Sequence, residues 1–175
     1  PLAARILSDL GAELIKIESP LARGPREPTI EPLAGWLGGE PGDEPWNNMA
    51  TIVKLARNRK SVCINLKRGA GKQLFLKLVE QADVVIENFS ARAMPSLGLG
   101  YDVMTQHNPR LIYVSMPGYG SSGPYKDWVA FGPTVEPMTG FTQMFGYSPE
   151  EPRNTAMALM DPIAGTSATL SLIHI

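Results

Sequence analysis

Residues 61–89, SVCINLKRGAGKQLFLKLVEQADVVIENF, predict a strand, a helix and a second strand in direct succession. The segments SVCINL and DVVIEN at the two ends are short, apolar and rich in β-branched residues, as buried strands are. Between them, GAGKQLFLKLVEQA repeats apolar residues at helical spacing. The positions predicted to face inward are Leu74, Phe75, Leu78 and Val79. Two such strands joined through a helix are typical of a parallel sheet covered by helices.

The same alternation continues on both sides of this stretch. Upstream, an apolar helical face that ends at Gly11 precedes the strand pattern AELIKIE at residues 12–18. Downstream, a short helix from Tyr101 or Asp102 to about His107 precedes the strand RLIYVSM. The inward face of the first helix is predicted at Leu2, Ala3, Ile6, Leu7 and Leu10. We therefore predict an α/β fold with a doubly wound parallel sheet and flanking helices.

Two segments show no periodicity. Residues 19–47 are dense in Pro and Gly and predict a long surface loop, and residues 117–154 predict irregular structure. Pro1 stands directly before the first helical pattern, and the last helical pattern has no stop signal. We therefore expect the 175 residues to be one partial domain of a longer protein.

Charge and composition exclude several classes of function. The chain has 16 basic and 17 acidic residues, a net charge of −1, which argues against binding nucleic acid or a membrane through bulk charge. No apolar stretch approaches the roughly 18 residues of a membrane span. The single cysteine, Cys63, lies in an apolar run and is predicted to be buried in a protein of the cytoplasm. His107 and His174 are isolated, so no metal site is predicted.

In a parallel α/β sheet, ligands bind at the carboxyl ends of the strands. One such end carries GYGSSG, with glycines at 118, 120 and 123, but prolines follow where a dinucleotide fingerprint requires a helix. No GxSxG elbow for a serine nucleophile is present. Basic residues around the strand at 61–66 are either a solvated edge or a small polyanion site; they are Lys54, Arg57, Arg59, Lys60, Lys67, Arg68 and Lys72.

Asp161, in MALMDPIAGTSATLSLI at residues 157–173, has two interpretations. It is a helix N-cap, because Pro162 suits the first helical position. Alternatively it is a nucleophile, because the first turn of a helix favours the charged form of a carboxylate. The residues alone favour the cap.

Five motifs in order resemble the class III coenzyme A transferases, which include formyl-CoA:oxalate and carnitine CoA-transferases. The motifs are ARILSDLGAELIKIESP, NRKSVCINLKRGAGKQLFLKLVEQADVVIENF, LGLGYD, NPRLIYVSMPGYGSSGPY and MDPIAG. The resemblance implies a Rossmann-like sheet in a longer protein whose two subunits interlock as a homodimer. The chain would be the N-terminal part of its CoA-binding and catalytic domain.

The resemblance also implies roles for individual residues. Asp161 matches the aspartate that forms an anhydride and then an aspartyl-CoA thioester, so the residue is expected to be the catalytic nucleophile. Coenzyme A is expected as a substrate, with no permanently bound cofactor, and a small carboxylic acid as its acceptor. Residues implied to contact CoA are Ile64, Lys67, Asn88, Phe89, Arg59, Lys60 and Lys126, and the active-site loop is implied to contain Gly118, Gly120 and Gly123.

The sequence departs from the family pattern at two positions. Ser19 and Ser96 stand where formyl-CoA transferase has arginines, and three nearby arginines are candidates to compensate: Arg23, Arg26 and Arg92. The apolar segment TGFTQMFGYSPEEPRN at residues 139–154 favours an acceptor acid larger than oxalate.

Two other functions remain open from the sequence. An α-methylacyl-CoA racemase would need a histidine where this chain has Phe131, and a phenyl ring accepts no proton. A non-catalytic CoA- or nucleotide-binding module would need no reactive carboxylate, and Asp161 would then be structural.

Overall fold

A computed structural model describes residues 1–19, 35–155 and 157–175. Two compact units make up the chain, Pro1–Ile64 and Asn65–Ile175. Arg23 and Arg26, two of the arginines expected to compensate for Ser19 and Ser96, lie outside the described residues.

The first unit is built around one pair of parallel strands. Its elements are α1 (Leu2–Asp9), β1 (Ile15–Glu18), a 3₁₀ turn (Leu37–Gly39), α2 (Pro45–Asn48), α3 (Ala50–Ala56) and β2 (Lys60–Cys63). Ile15 lies opposite Lys60 and Glu18 lies opposite Cys63 in the ladder. Gly11 has a φ of +103°, a left-handed conformation that ends α1 and turns the chain toward β1.

The second unit repeats the plan and adds helices. Its elements are α4 (Gly69–Val79), β3 (Val84–Glu87), α5 (Ala93–Ser96), α6 (Tyr101–His107), β4 (Ile112–Ser115), α7 (Gly132–Met138), α8 (Phe141–Met144) and α9 (Met160–Ile173). β3 and β4 are parallel, with Val84 opposite Ile112. The apolar core of this unit is formed by Phe75, Leu76, Val79, Met94, Leu99, Met104 and Leu111.

The predicted α/β class, with short parallel strands and flanking helices, is confirmed. The described strands form two parallel pairs, β1 with β2 and β3 with β4. The Rossmann-like arrangement implied by the family resemblance stays a prediction.

Several predicted burials are wrong for simple geometric reasons. Cys63 is exposed, because side chains alternate along β2 and its neighbours Val62 and Ile64 occupy the inward face. Leu10 is exposed because it follows the last residue of α1 and leaves the helical face. In α4, Leu76 is buried and Leu74 is exposed.

The sequence analysis missed short helices among the described residues: α2, α7 and α8 lie in or across the segments predicted to be irregular, and α3 and α5 lie in stretches to which no element was assigned. α2 and α3 occupy part of residues 45–56, and α7 and α8 occupy part of residues 132–144. Pro137 lies inside α7, and Gly140 separates α7 from α8 with a φ of +79°. Helices of four to seven residues show too few turns for a hydrophobic period to be recognised.

Within the described ranges, no helix is long and apolar enough to cross a membrane. In the same part of the chain, no three His, Cys, Asp or Glu side chains approach closely enough to hold a metal ion.

Candidate active site

The predicted nucleophile Asp161 is an exposed residue in the first turn of α9. The helix starts one residue earlier, at Met160, and its N-cap position is Leu159, which makes no side-chain capping bond. Asp161 is therefore not the N-cap, and the capping interpretation is wrong. Among the described residues, no hydrogen bond or ion pair engages its carboxylate.

Gly132, the first residue of α7, brings that helix into contact with Asp161. A Cβ atom at position 132 would lie 2.9 Å from Asp161 Oδ2 and 2.6 Å from Ala158 Cβ. Both distances are too short for a real side chain, so a Cβ atom here would displace the Asp161 carboxylate and Ala158. The close approach places one carboxylate oxygen of Asp161 directly against the buried backbone of α7.

The glycine-rich loop at 118–123 contacts the residues that lead into the same helix. A Cβ atom at Gly118 would lie 2.1 Å from Ala130 Cβ and 3.6 Å from Val135 Cγ2. Gly120 and Gly123 have φ values of +80° and +86°, which glycine adopts without strain. The structure thus brings the loop and Asp161 onto the same short helix, α7.

Three aromatic side chains fix the shape of the segment after this loop. Tyr125 and Trp128 have ring centroids 4.5 Å apart, and Tyr119 contacts both, with centroid distances of 6.5 and 6.0 Å. Lys126 and Asp127 lie between two of these anchors in sequence. Their positions therefore depend on the aromatic cluster of Tyr119, Tyr125 and Trp128.

An open cavity of about 350 Å³ lies beside this segment. Its lining residues are Ala91, Arg92, Pro95, Ser96, Ser121, Lys126 and Asp127. Arg92 donates a hydrogen bond from Nη2 to Asp127 Oδ2 at 2.5 Å. Lys126 is exposed and forms no ion pair with any residue the structure describes, so it is a cation available to a ligand. Lys126, which was predicted to contact CoA, thus lines the same cavity as Arg92 and Ser96.

The strand end at Asn88 and Phe89 is ordered by Glu87, a residue that the sequence analysis did not single out. Glu87 is buried at the end of β3; its Oε2 accepts a hydrogen bond from the Phe89 backbone N–H at 2.7 Å, and its Oε1 accepts one from the Tyr113 hydroxyl at 2.9 Å. Burial and the neighbouring carboxylate raise the pKa of Tyr113 to about 12. Asn88 and Phe89 are both exposed beyond this anchor.

Three predicted CoA contacts lie in the first unit and have partners of their own. Ile64 is buried, and its backbone N–H donates to the Glu18 carbonyl at 2.9 Å. Lys60 donates from Nζ to Glu13 Oε1 at 2.5 Å, and this bond lowers the pKa of the Glu13 carboxyl. Arg59 is half-buried, and burial lowers the pKa of its guanidinium while the Glu18 carboxylate opposes the shift.

Lys67 lies at the start of the second unit. Its side chain is exposed, and its backbone N–H donates to Asn65 Oδ1 at 3.0 Å in a tight turn that follows β2. The turn presents the lysine side chain to solvent just before α4.

Sequence reasoning missed Gly132 and Glu87. Gly132 is separated from Asp161 by 28 intervening residues, and no local pattern reports that contact. Glu87 carried one signal, since it is an acidic residue at the end of an apolar strand pattern, where burial is rare for a carboxylate without partners.

Comparison with known proteins matches the chain to one family. Residues 1–174 match the model of CoA-transferase family III. The chain is similar to an acyl-CoA transferase of Fusarium pseudograminearum, with 35% identity covering 94% of this chain and 36% of that protein. It is also similar to the alpha subunit of succinyl-CoA–L-malate CoA-transferase of Chloroflexus aurantiacus, with 38% identity covering 87% of this chain and 33% of that subunit.

The fold agrees with solved structures as well. A crystal structure of a Mycobacterium tuberculosis protein matches with a TM-score of 0.82 and 31% identity, covering 99% of this chain and 46% of that one. The chain thus spans less than half the length of each of these three proteins. Because the family model matches nearly every residue and the solved structure matches the same span, the chain belongs to CoA-transferase family III.

Proposed function

We propose that the full-length protein transfers coenzyme A from an acyl-CoA donor to a carboxylic acid, with Asp161 as the nucleophile. The observation that carries this proposal is the state of the Asp161 carboxylate. It is exposed, it caps no helix, no described side chain engages it, and one of its oxygens lies close against Gly132 of α7. A carboxylate that is exposed and free of hydrogen bonds to the described residues is available to attack a bound thioester.

The reaction is two matched exchanges at this carboxylate. Asp161 attacks the thioester carbon of the donor; the C–S bond breaks, leaving a mixed anhydride and CoA thiolate. The thiolate attacks the aspartyl carbonyl, releasing the donor's carboxylic acid and leaving an aspartyl-CoA thioester. The acceptor carboxylate attacks that thioester, and the released thiolate then attacks the acceptor's carbonyl in the second anhydride. The products are the new acyl-CoA and a regenerated Asp161 carboxylate.

The cavity beside the glycine-rich loop is the proposed site for a phosphate group of CoA. Lys126 supplies an unpaired positive charge there, and Arg92 is held on the same wall by Asp127. The strand end at Asn88 and Phe89 offers an exposed amide and an exposed ring for the nucleotide or pantetheine. For Arg59, Lys60, Ile64 and Lys67, contact with CoA remains our proposal from the family resemblance.

Phe131 favours transfer over racemisation. It immediately precedes Gly132, and its phenyl ring has no group that removes a proton from the carbon next to the thioester. The relatives include CoA-transferases of oxalate as well as of L-malate, so their names do not select an acceptor. From the apolar segment at residues 139–154, in which Met144, Phe145 and Tyr147 are exposed, we propose an acceptor larger than oxalate. We also propose an interlocked homodimer of the full-length protein and a place in the cytoplasm.

The proposal is tested by replacing Asp161 with Asn in the full-length protein. We expect transfer to fall by at least about a thousandfold while CoA binding, measured by calorimetry, is retained. The matched control is Asp102→Asn, because Asp102 is also an acidic residue in the first turn of a helix, α6. That control should keep normal turnover. Transfer that survives in Asp161→Asn would refute the proposed role.

A further inference from the structure

Glu136 is the most deeply buried ionisable side chain in the part of the chain that is described. It lies in α7, one helical turn after Gly132, and only 1% of its surface is exposed. Burying a carboxylate is costly unless its oxygens are hydrogen-bonded. A buried glutamate therefore requires hydrogen-bond partners. Because a smaller apolar residue would fill the site without that cost, we also expect the glutamate to have a specific role.

Both carboxylate oxygens of Glu136 bind a single residue. Oε1 accepts a hydrogen bond from the backbone N–H of Thr155 at 2.6 Å, and Oε2 accepts one from the Thr155 hydroxyl at 2.8 Å. α8 holds the two preceding residues: the Arg153 N–H donates to the Thr142 carbonyl at 3.2 Å, and the Thr142 hydroxyl donates to Asn154 Oδ1 at 3.0 Å. Residues 153–155 are therefore tied to α7 and α8.

These tied residues lead directly to the predicted nucleophile. Thr155 precedes Asp161 by six residues, and between them Ala158 adopts a φ of +46°, a left-handed conformation that is unusual for alanine. A residue in that conformation persists only where its surroundings hold it. α7 contacts this entry to α9 twice on one face, through Glu136 at Thr155 and through Gly132 at Ala158 and Asp161.

We propose that Glu136 is a positioning residue: its two hydrogen bonds to Thr155 fix the entry to α9 and so set the Asp161 carboxylate against Gly132 for attack on the thioester. This inference rests on the proposed function of Asp161. Glu136 itself is buried and does not touch the substrate. It acts on the geometry of the nucleophile, so its loss reduces the rate of the chemical steps more than it weakens acyl-CoA binding.

The amide isostere separates hydrogen bonding from charge. In Glu136→Gln, the amide oxygen accepts the Thr155 N–H, and the amide nitrogen donates to the Thr155 hydroxyl, so both contacts are restored without a carboxylate. Glu136→Ala removes both contacts and leaves the Thr155 N–H without its acceptor. Thr155→Val removes only the bond to the hydroxyl and keeps the backbone bond.

The experiment measures kcat and KM for acyl-CoA in the full-length protein carrying each of these substitutions. We expect kcat to fall by about tenfold to a hundredfold in Glu136→Ala, as for a misplaced reacting group, with KM changed less than about threefold. Glu136→Gln should recover most of the normal kcat, and Thr155→Val should show an intermediate loss. The control is Asn108→Ala, which removes three hydrogen bonds of similar length, two to the Val79 and Ala82 carbonyls and one from the Arg110 N–H, in the segments that precede β3 and β4. That variant should lose stability and keep kcat.

The outcomes separate this inference from the proposed function. If Asp161→Asn is inactive while Glu136→Ala, folded by circular dichroism, keeps the kcat of the Asn108→Ala control, Glu136 is only structural and the inference is wrong. A Gln variant as impaired as the Ala variant would also overturn it, because charge rather than positioning would then be responsible. If Glu136→Ala does not fold, Thr155→Val decides, and an unchanged kcat there overturns the inference. If Asp161→Asn remains active, the proposed function itself fails.

Discussion

Among single residues, Gly132 has a special place because it carries no side chain. Gly132 leaves the space that one oxygen of Asp161 fills, and a methyl group there would lie 2.9 Å from Oδ2 and 2.6 Å from Ala158 Cβ. Gly132→Ala should therefore displace the carboxylate and lower kcat by about tenfold to a hundredfold. Steady-state kinetics of the full-length variant provide the check.

The control for that substitution is Gly69→Ala. Gly69 is the first residue of α4, and a Cβ atom there would meet no heavy atom within 4 Å. Alanine also suits a helix better than glycine does. The control should keep its activity, and equal activity in the two variants would show that the contact between Gly132 and Asp161 has no effect on the reaction.

A second prediction concerns Tyr113, whose pKa is raised to about 12 by burial and by Glu87. Because the folded pKa lies above the ordinary value of 10.0, the neutral hydroxyl is favoured by folding. Its contribution to the free energy of unfolding is fully present below about pH 10 and is lost as the pH rises through about 12. Denaturant unfolding across this range should show the fall.

The matched variant is Tyr113→Phe, which keeps the ring and removes the hydroxyl that donates to Glu87. It should cost about 1.5–3 kcal/mol near neutral pH, the usual net value of a hydrogen bond to a charged group. It should also show less loss of stability above about pH 10 than the unmodified protein. Identical pH dependence in the two proteins would contradict the assignment of the shifted pKa to Tyr113.

At the scale of elements, the aromatic cluster of Tyr119, Tyr125 and Trp128 is expected to control acyl-CoA binding. The cluster fixes the segment that carries Lys126 beside the cavity. Trp128→Ala removes two ring contacts, and such pairs contribute about 0.5–1.5 kcal/mol each beyond their buried area. We expect KM for acyl-CoA to rise severalfold, with a smaller change in kcat, because the approach of Asp161 to Gly132 does not involve these rings.

Trp46→Ala is the comparison for this variant. Trp46 is about as exposed as Trp128, 48% against 53%, and lies in α2 of the first compact unit, where no CoA contact is proposed for it. It should leave KM unchanged. An unchanged KM in Trp128→Ala would mean that the cluster does not position the CoA site.

The elements also explain what the sequence could and could not predict. The spacing of Phe75 and Val79 predicted α4, and the β-branched run at 84–86 predicted β3, because both patterns are local. α7 was not predictable, since it has seven residues with Pro137 inside, and its burial depends on contacts with α9. The exposure of Leu74 was missed because the buried face of α4 includes Leu76 instead. Packing against the core of the unit determines which face of the helix is buried.

In the molecule as a whole, motif order predicted Asp161 as the nucleophile but did not predict the residues that lie against it. MDPIAG is a local motif, whereas the contacts of Asp161 with Gly132 and of Thr155 with Glu136 join residues that are far apart in sequence. The predicted residues Lys126, Gly118 and Asp161 belong to one compact unit. Gly118 lies against Ala130 and Val135, and Asp161 lies against Gly132. Lys126 lies in the segment between Gly118 and α7. The identity of the acceptor acid has no such local signature, because acid recognition depends on the shape of a complete pocket.

The central claim is that Asp161 becomes covalently bonded during transfer. The most direct measurement is peptide mass spectrometry of the full-length protein after incubation with acyl-CoAs and trapping with hydroxylamine or borohydride. We expect a mass change from CoA or the trapping reagent on the peptide that contains Asp161, and no such change in Asp161→Asn. An unmodified Asp161 peptide with every donor tested, in a protein that binds CoA, would contradict the account and favour a CoA-binding module.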